Sequence, residues 1–191
     1  MAQQTRLNRT PGSLSGVTDL TSACVPPIRP EDHVRGEGPE AILYLDLACP
    51  HCAATWAKAA ELPLRLVFRH FPVPSKHPRS PALHAAAEAA AAQREAAFWS
   101  LVDSIYRDQG RIDDPHLWER ARTLDLDLER FERERRSATV AERVRRDFQA
   151  GIRAGVTGTP GAFVAGRTVG RDVAAALGGL APPRGHSSRH V

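Results

Sequence analysis

The chain is 191 residues long, 42% hydrophobic and 25% charged, with 15 prolines and 14 glycines; that is enough chain for one substantial core, and the composition excludes a collagenous or wholly disordered protein. No apolar run approaches the ~18 residues of a membrane span, so none is expected. Net charge is +4, but Lys58 and Lys76 are the only lysines among 26 basic residues, and the arginines between Glu129 and Arg136 alternate with acids, the pattern of a solvated helix face rather than a nucleic-acid surface.

Residues 1–38 are polar, rich in Ser, Thr, Pro and Gly, and without helical or strand period, which predicts an irregular arm. The first twenty residues lack the apolar block of a secretory signal, so a cytoplasmic location is expected. Order is expected from Pro39. The run AILYLDL (Ala41 to Leu47) reads as a strand buried on both faces. Pro50 suits the first position of a helix through Trp56 and Ala60, and LRLVFRHF (Leu64 to Phe71) reads as a second strand. Strand, helix and strand within about thirty residues make a βαβ crossover. The alanine-rich segment Pro81 to Ala97, continuing through Phe98, Leu101, Val102 and Ile105, predicts one long helical stretch. Asp114-Pro115 and Asp127 then read as helix starts, and Val140, Val144, Phe148 and Ile152 mark a further helix. Gly158-Thr159-Pro160 precedes a strand at Ala162 to Ala165, a turn at Gly166-Arg167 and a partner strand, with a last helix over Asp172 to Leu177. Residues 39–180 are thus expected to form the domain, with helices inserted over about 80–155, and residues 181–191 a flexible tail.

Three cysteines, Cys24, Cys49 and Cys52, are too few and odd in number for a disulfide framework. Cys49-Pro50-His51-Cys52 lies at the end of a strand and the start of a helix. Free N–H groups and the helix dipole stabilise a thiolate at that place, where such thiols show pKa values of ~3.5 to 7.5. Cys49 is therefore the expected nucleophile and Cys52 the resolving thiol, with His51 adding positive charge or a donor beside them. A zinc half-site completed by Cys24, His70 or His77 is the metal alternative, disfavoured because no second C-x-x-C exists and the histidines miss the usual spacing. His33, His70, His84 and His116 read as solvated or hydrogen-bonded, and Trp56, Trp99 and Trp118 as core. For Thr159-Pro160 local sequence favours a trans turn, although X-Pro bonds alone make cis cheap.

Taken together, Cys49 to Cys52, DHVRG (Asp32 to Gly36), FRHFPV (Phe68 to Val73), His77-Pro78, the alanine-rich helix through Phe98-Trp99 and GVTGTPGAFVAGR (Gly155 to Arg167) resemble the DsbA-like thioredoxin-fold family. The resemblance is to its small bacterial branch that also occurs fused to sodium/proton antiporters. It implies an α/β thioredoxin fold with an all-helical insertion between the βαβ half and a C-terminal ββα half. It also implies a cis Pro160 packed beside the cysteines, with Thr159 and Pro50 bordering a substrate peptide that adds as a strand. The function expected is a thiol-disulfide oxidoreductase with no cofactor and no metal, acting on thiol or disulfide proteins and renewed by a redox recycling partner. Alternatives are a thiol-dependent enzyme acting on a small electrophile or glutathione adduct, and a redox-sensing or zinc-binding interaction module. The chain departs from many relatives at Ala48, where they carry an acidic or amide residue; Asp46 is the nearest carboxylate in the strand.

Overall fold

The computed structural model describes residues 25–169 and 172–179; Cys24, most of the expected arm and the tail at 181–191 lie outside the described residues. At its centre β2 (Glu40–Leu45) and β3 (Arg65–His70) run parallel, Ile42 opposite Val67 and Leu45 opposite His70. Helix α1 (Pro50–Ala60) crosses between them, so the expected βαβ unit is present. β4 (Gly161–Val164) pairs antiparallel with the free side of β2, and β5 (Arg167–Val169) antiparallel with β4.

The central strands are apolar throughout because both faces are covered. Leu43, Leu45 and Phe68 point to the layer holding Trp56 of α1, while Ile42, Tyr44 and Val67 join Phe71 and Phe163 on the other side. Their carboxyl ends open toward Cys49, which places any chemistry there at the rim of a rigid sheet.

Order begins earlier than Pro39. β1 (His33–Arg35) pairs antiparallel with β3 as the outer strand, giving the order β1-β3-β2-β4-β5. Three residues are too few to show a period, and side-chain contacts rather than pattern hold this strand. Asp32 forms an ion pair with the buried Arg69 at 2.6 Å. Arg35 lies over Trp56 and Trp99 at 4.5 and 4.9 Å, a cation-π arrangement. Gly36 has φ +77°, and a Cβ there would stand 2.3 Å from the Leu64 carbonyl oxygen. Each conspicuous residue of DHVRG therefore has a physical task.

The insertion consists of α2 (Ser80–Ala91), α3 (Glu95–Arg107), α4 (Asp114–Thr123), α5 (Leu128–Glu134) and α6 (Ala138–Arg153). The single long helical stretch expected over the alanine-rich segment is two helices. Arg94 is extended (φ −163°, ψ 125°), and Gln93 and Arg94 turn their side chains to the carbonyls of Asp127 and Leu124. Those tertiary bonds override alanine's helix preference at the junction. Asp113, not Asp114, caps α4 by accepting from the His116 N–H, whereas Asp127 caps α5 as expected. α6 lies against the sheet at Gly151, where a Cβ would meet Phe71 and Tyr44 at under 3 Å. α7 (Val173–Gly178) closes the fold beside α1 and β4. Trp56 and Trp99 are buried as expected, while Trp118 is half-buried and bonds Glu132.

Candidate active site

Cys49 is the N-cap of α1, extended at φ −85° and ψ 122°, with Pro50 following in the first turn. No side chain caps this helix end and no acid occupies its first turn, so its N–H groups and positive dipole end are left to the Cys49 sulfur. Pro50 and His51 are exposed. Cys52, one turn inside, is fully buried.

The two thiols are driven apart electrostatically. A hydrogen bond from Cys52 lowers the Cys49 thiol to about 5, with further help from the backbone N–H groups of Cys52 and His51, against a smaller opposing effect of burial. Burial pushes Cys52 the other way, far above the ordinary thiol range, and the neighbouring Cys49 charge adds to it. One sulfur is thus a thiolate at neutral pH and the other a thiol, the pairing required for stepwise exchange.

The loop before β4 completes the rim. Thr159-Pro160 is a cis peptide, and the Thr159 carbonyl oxygen stands 3.8 Å from Cys49 Sγ. A cavity of about 520 Å³ opens here, lined by Cys49, Pro50, His51, Thr159, the segment Phe71 to His77, and Phe148 and Ile152 of α6. Ile152, expected on an apolar buried face, is 52% exposed at this cavity. A second opening of about 770 Å³ lies on the other side of His51 and runs past Thr159 and Pro160 to Val169. Of the six residues singled out from the sequence, Cys49, Pro50, His51, Thr159 and Pro160 border these two openings, while Cys52 lies buried one turn inside α1.

Beneath it sits Asp46, fully buried. Its carboxylate accepts from Ser80 Oγ at 2.6 Å and from the N–H groups of Ala48 and Val73, each at 2.9 Å. Burial opposes its charge, but His84 and these donors outweigh that and hold its pKa below the ordinary carboxylate value. Asp46 thus ties the Cys49 turn to the loop before α2. Its backbone N–H points to Cys52 Sγ at 3.4 Å.

Sequence reasoning missed several supports of this site. Gln109 donates from Nε2 to the carbonyls of Leu47 and Cys49, and the Tyr106 hydroxyl donates to the Asp46 carbonyl. His33, His70 and His84, expected to be solvated or hydrogen-bonded, are buried; His33 and His70 both bond Glu88, and His84 bonds His70 directly. Glu88 was the available signal, a lone acid in the otherwise apolar alanine run. His70 is engaged there, whereas His77 lines the cavity beside Cys49, so the two histidines of the zinc alternative face different surroundings. His116 is half-buried near Asp113, away from the rim.

Among the described residues no helix is long and apolar enough to cross a membrane. Comparison with known proteins gives a consistent lineage. The profile of the DSBA-like thioredoxin domain matches residues 54–179, starting two residues past Cys52. The chain is 36% identical over 165 residues to the Na(+)/H(+) antiporter NhaA 3 of Salinispora tropica, covering 82% of this chain and 24% of that protein. It is 38% identical over 159 residues to the Na(+)/H(+) antiporter NhaA of Herminiimonas arsenicoxydans, covering 78% and 25%. The chain thus spans about a quarter of the length of these relatives. Among solved structures it is similar to the thiol-disulfide exchange protein alpha-DsbA2 from Wolbachia pipientis, with a TM-score of 0.68, 16% identity, and 77% and 84% of the two chains covered. It is also similar to a thioredoxin-like oxidoreductase from Silicibacter pomeroyi, with a TM-score of 0.61, 26% identity, and 74% and 84% covered. The mixed sheet with its helical insertion is a thioredoxin fold of the DsbA type, and the chain belongs to the DSBA-like thioredoxin domain family.

Proposed function

We propose that this chain is a thiol-disulfide oxidoreductase working through Cys49 and Cys52. The observation that carries the reading is the opposite displacement of two thiols one helical turn apart, Cys49 down to about 5 and Cys52 far up. A substrate thiolate attacks Cys49 of the Cys49-Cys52 disulfide, forming a mixed disulfide and expelling Cys52 as thiolate, which takes up a proton. A second substrate thiolate then attacks the substrate sulfur and releases Cys49 as thiolate. Two electrons have passed from substrate to protein, and reversal of the steps reduces a substrate disulfide.

The names of the structural relatives, a thiol-disulfide exchange protein and a thioredoxin-like oxidoreductase, support the same chemistry. In this reading Pro50 and His51 form the exposed border at which the incoming sulfur arrives. Thr159 presents backbone groups to an extended substrate segment, and Pro160 shapes the loop that does so. The partners are proteins bearing thiols or disulfides, together with a redox protein that renews the active form. Thiolate stabilisation at Cys49 favours the reduced pair and makes the disulfide the oxidising form. In the cytoplasmic setting expected from the sequence, the glutathione pool keeps exposed thiols reduced, so there the pair would run toward reduction.

The test is stoichiometric exchange. Oxidised protein mixed with a reduced model dithiol peptide should close the peptide's disulfide while gaining two free thiols, and Cys49→Ser should do neither. Equal peptide oxidation by wild type and Cys49→Ser overturns the proposal.

A further inference from the structure

Lys76 and His51 are exposed, and each borders both openings at the site, the cavity that holds Cys49 and the one that runs past Thr159 and Pro160. His77 adds a second imidazole to the cavity. Among the described residues no Asp or Glu lines the cavity. Asp172 in the second opening is engaged as the cap of α7, accepting from the Ala175 N–H at 2.9 Å. Asp46 lies buried beneath the rim with its carboxylate filled by three donors. The ammonium group of Lys76 thus stands beside the nucleophile with no acid lining the cavity to answer it.

This placement is built into the backbone. Lys76 lies in the turn between β3 and α2, where its N–H and that of His77 both donate to the Val73 carbonyl at 2.9 Å. The Val73 N–H donates to Asp46, and so does the hydroxyl of Ser80 at the start of α2. The same carboxylate accepts from the N–H of Ala48, next to Cys49. One buried group therefore fixes the Lys76 turn and the Cys49 turn to each other, and Pro72, Pro74 and Pro78 restrict the backbone between them and α2. Lysine is scarce in this chain: Lys58 and Lys76 stand among 26 basic residues, and Lys58 lies in the last turn of α1. An ammonium group on a flexible stem reaches a carboxylate in several geometries, whereas the arginine fork demands one, so lysine suits a site that takes more than one sequence.

We propose that Lys76 is a specificity-determining residue and that the preferred substrates are protein segments carrying a carboxylate side chain beside the reacting cysteine. The inference rests on the thiol-exchange reading given above. An extended segment laid along Thr159 and spanning both openings passes Lys76, which borders each, and its carboxylate pairs with the ammonium group. Charge complementarity of this kind sets partner choice and encounter rate more than overall affinity.

The charge of the site also changes during exchange. The Cys49-Cys52 disulfide carries none, so an acidic thiol segment approaches the lysine unopposed. Afterwards Cys49 is a thiolate, held chiefly by the hydrogen bond from Cys52 and by backbone N–H groups, and its charge opposes the acidic product. Acidic segments therefore bind the oxidised chain more tightly than their disulfides bind the reduced one, which aids release. Glutathione is the other source of a thiol flanked by carboxylates. It is a tripeptide, and openings of about 520 and 770 Å³ on either side of Lys76 give room for a longer segment, which favours a polypeptide.

A comparison of rates tests the proposal. Oxidised chain is mixed with reduced dithiol peptides that are identical except for Glu, Gln or Lys beside the first cysteine, and closure of the peptide disulfide is followed. Each rate is divided by that of the same peptide with a small uncharged disulfide, which removes the effect of the neighbouring charge on the thiol itself. Wild type should favour the Glu peptide over the Gln peptide, with the Lys peptide slowest. The Glu/Gln ratio should fall about two- to fivefold in Lys76→Gln, the scale of one exposed ion pair, and drop below one in Lys76→Glu. It should also fall in wild type at about 1 M salt, where the screening length is ~3 Å. Lys58→Gln should keep the wild-type ratio. Because each ratio is taken within one protein, damage to the fold does not imitate the effect. An equal Glu/Gln ratio in wild type, Lys76→Gln and Lys76→Glu overturns the proposal. Free glutathione decides the source: its normalised rate should depend on Lys76 less than that of the Glu peptide, and an equal or greater dependence overturns the assignment to protein segments. Failure of wild type to oxidise any of the peptides instead overturns the thiol-exchange reading.

Discussion

Cys49 Sγ and the Thr159 carbonyl oxygen face each other at 3.8 Å across the mouth of the cavity, although 110 positions separate them in the chain. The contact joins the two halves of the fold: Cys49 ends the turn after β2, and Thr159 precedes β4, the neighbour of β2 in the sheet. Because both anchors are sheet ends, the separation between thiol and carbonyl is set by strand pairing rather than by a mobile loop.

Alkylation should read this arrangement directly. The Cys49 thiol is lowered to about 5, chiefly by the hydrogen bond from Cys52 and then by backbone N–H groups, while Cys52 is raised and fully buried. Iodoacetamide at mildly acidic pH is expected to label Cys49, with a rate-pH midpoint near 5, and to leave Cys52 unmodified. A midpoint at the ordinary thiol value would refute the assigned electrostatics.

Trapping separates the roles of the two sulfurs. With Cys52→Ser the mixed disulfide at Cys49 has no internal thiol to resolve it, so adducts with thiol proteins should accumulate on non-reducing gels. Cys49→Ser leaves Cys24 and the buried Cys52, neither of them at the start of α1, and should trap nothing at the site. Equal adduct formation by both variants would remove the nucleophile assignment.

The parts of this architecture that were legible in the sequence are those written in period and punctuation. The apolar run before Cys49, the second strand over Leu64 to Phe71 and the Gly-Pro signal before β4 all specify backbone through local pattern. The break between α2 and α3 was not legible, since alanine favours helix on both sides and the decision falls to side-chain bonds from Gln93 and Arg94 to distant carbonyls. The same holds for β1, fixed by Asp32 with Arg69 and by Arg35 over two tryptophans. Cys49, His51 and Cys52 were readable because a C-x-x-C at a helix start is a short motif with a mechanism, whereas Pro50, Thr159 and Pro160 entered through the family resemblance, local sequence alone favouring an ordinary trans turn at Thr159-Pro160. The buried cluster of His33, His70, His84 and Glu88 was not, because its members come from β1, β3 and α2 and meet only in three dimensions.

Asp46→Asn tests the floor of the site. The carboxylate accepts three hydrogen bonds, from Ser80, Ala48 and Val73, and an amide oxygen can replace only one of its two oxygens as acceptor. The amide NH₂ is then set against a buried donor, at a cost of about 1–3 kcal/mol. Chemical denaturation should show a lower midpoint with an unchanged slope, while a midpoint equal to wild type would mean that the carboxylate has no part in holding the Cys49 turn.

Stability should also fall on the alkaline side of neutrality, and His33 supplies the reason. Burial disfavours its charge, but Glu88 and Glu95 prevail and raise its pKa from 6.5 to about 8. Between those values the folded chain binds more protons at this site than the unfolded chain, so stability decreases as pH rises. The contribution is fully present below 6.5, declines through about 8 and is gone above it. A shift of this size corresponds to about 2 kcal/mol. His33→Gln keeps a polar side chain beside Glu88 but does not titrate there, so it should lose stability at pH 6 and much less at pH 9.5. The quantity to compare is the difference in unfolding free energy between wild type and variant across pH. A difference that stays constant from pH 6 to pH 9.5 would show that His33 is neutral in the folded protein, and its contacts with Glu88 and Glu95 would not be ion pairs.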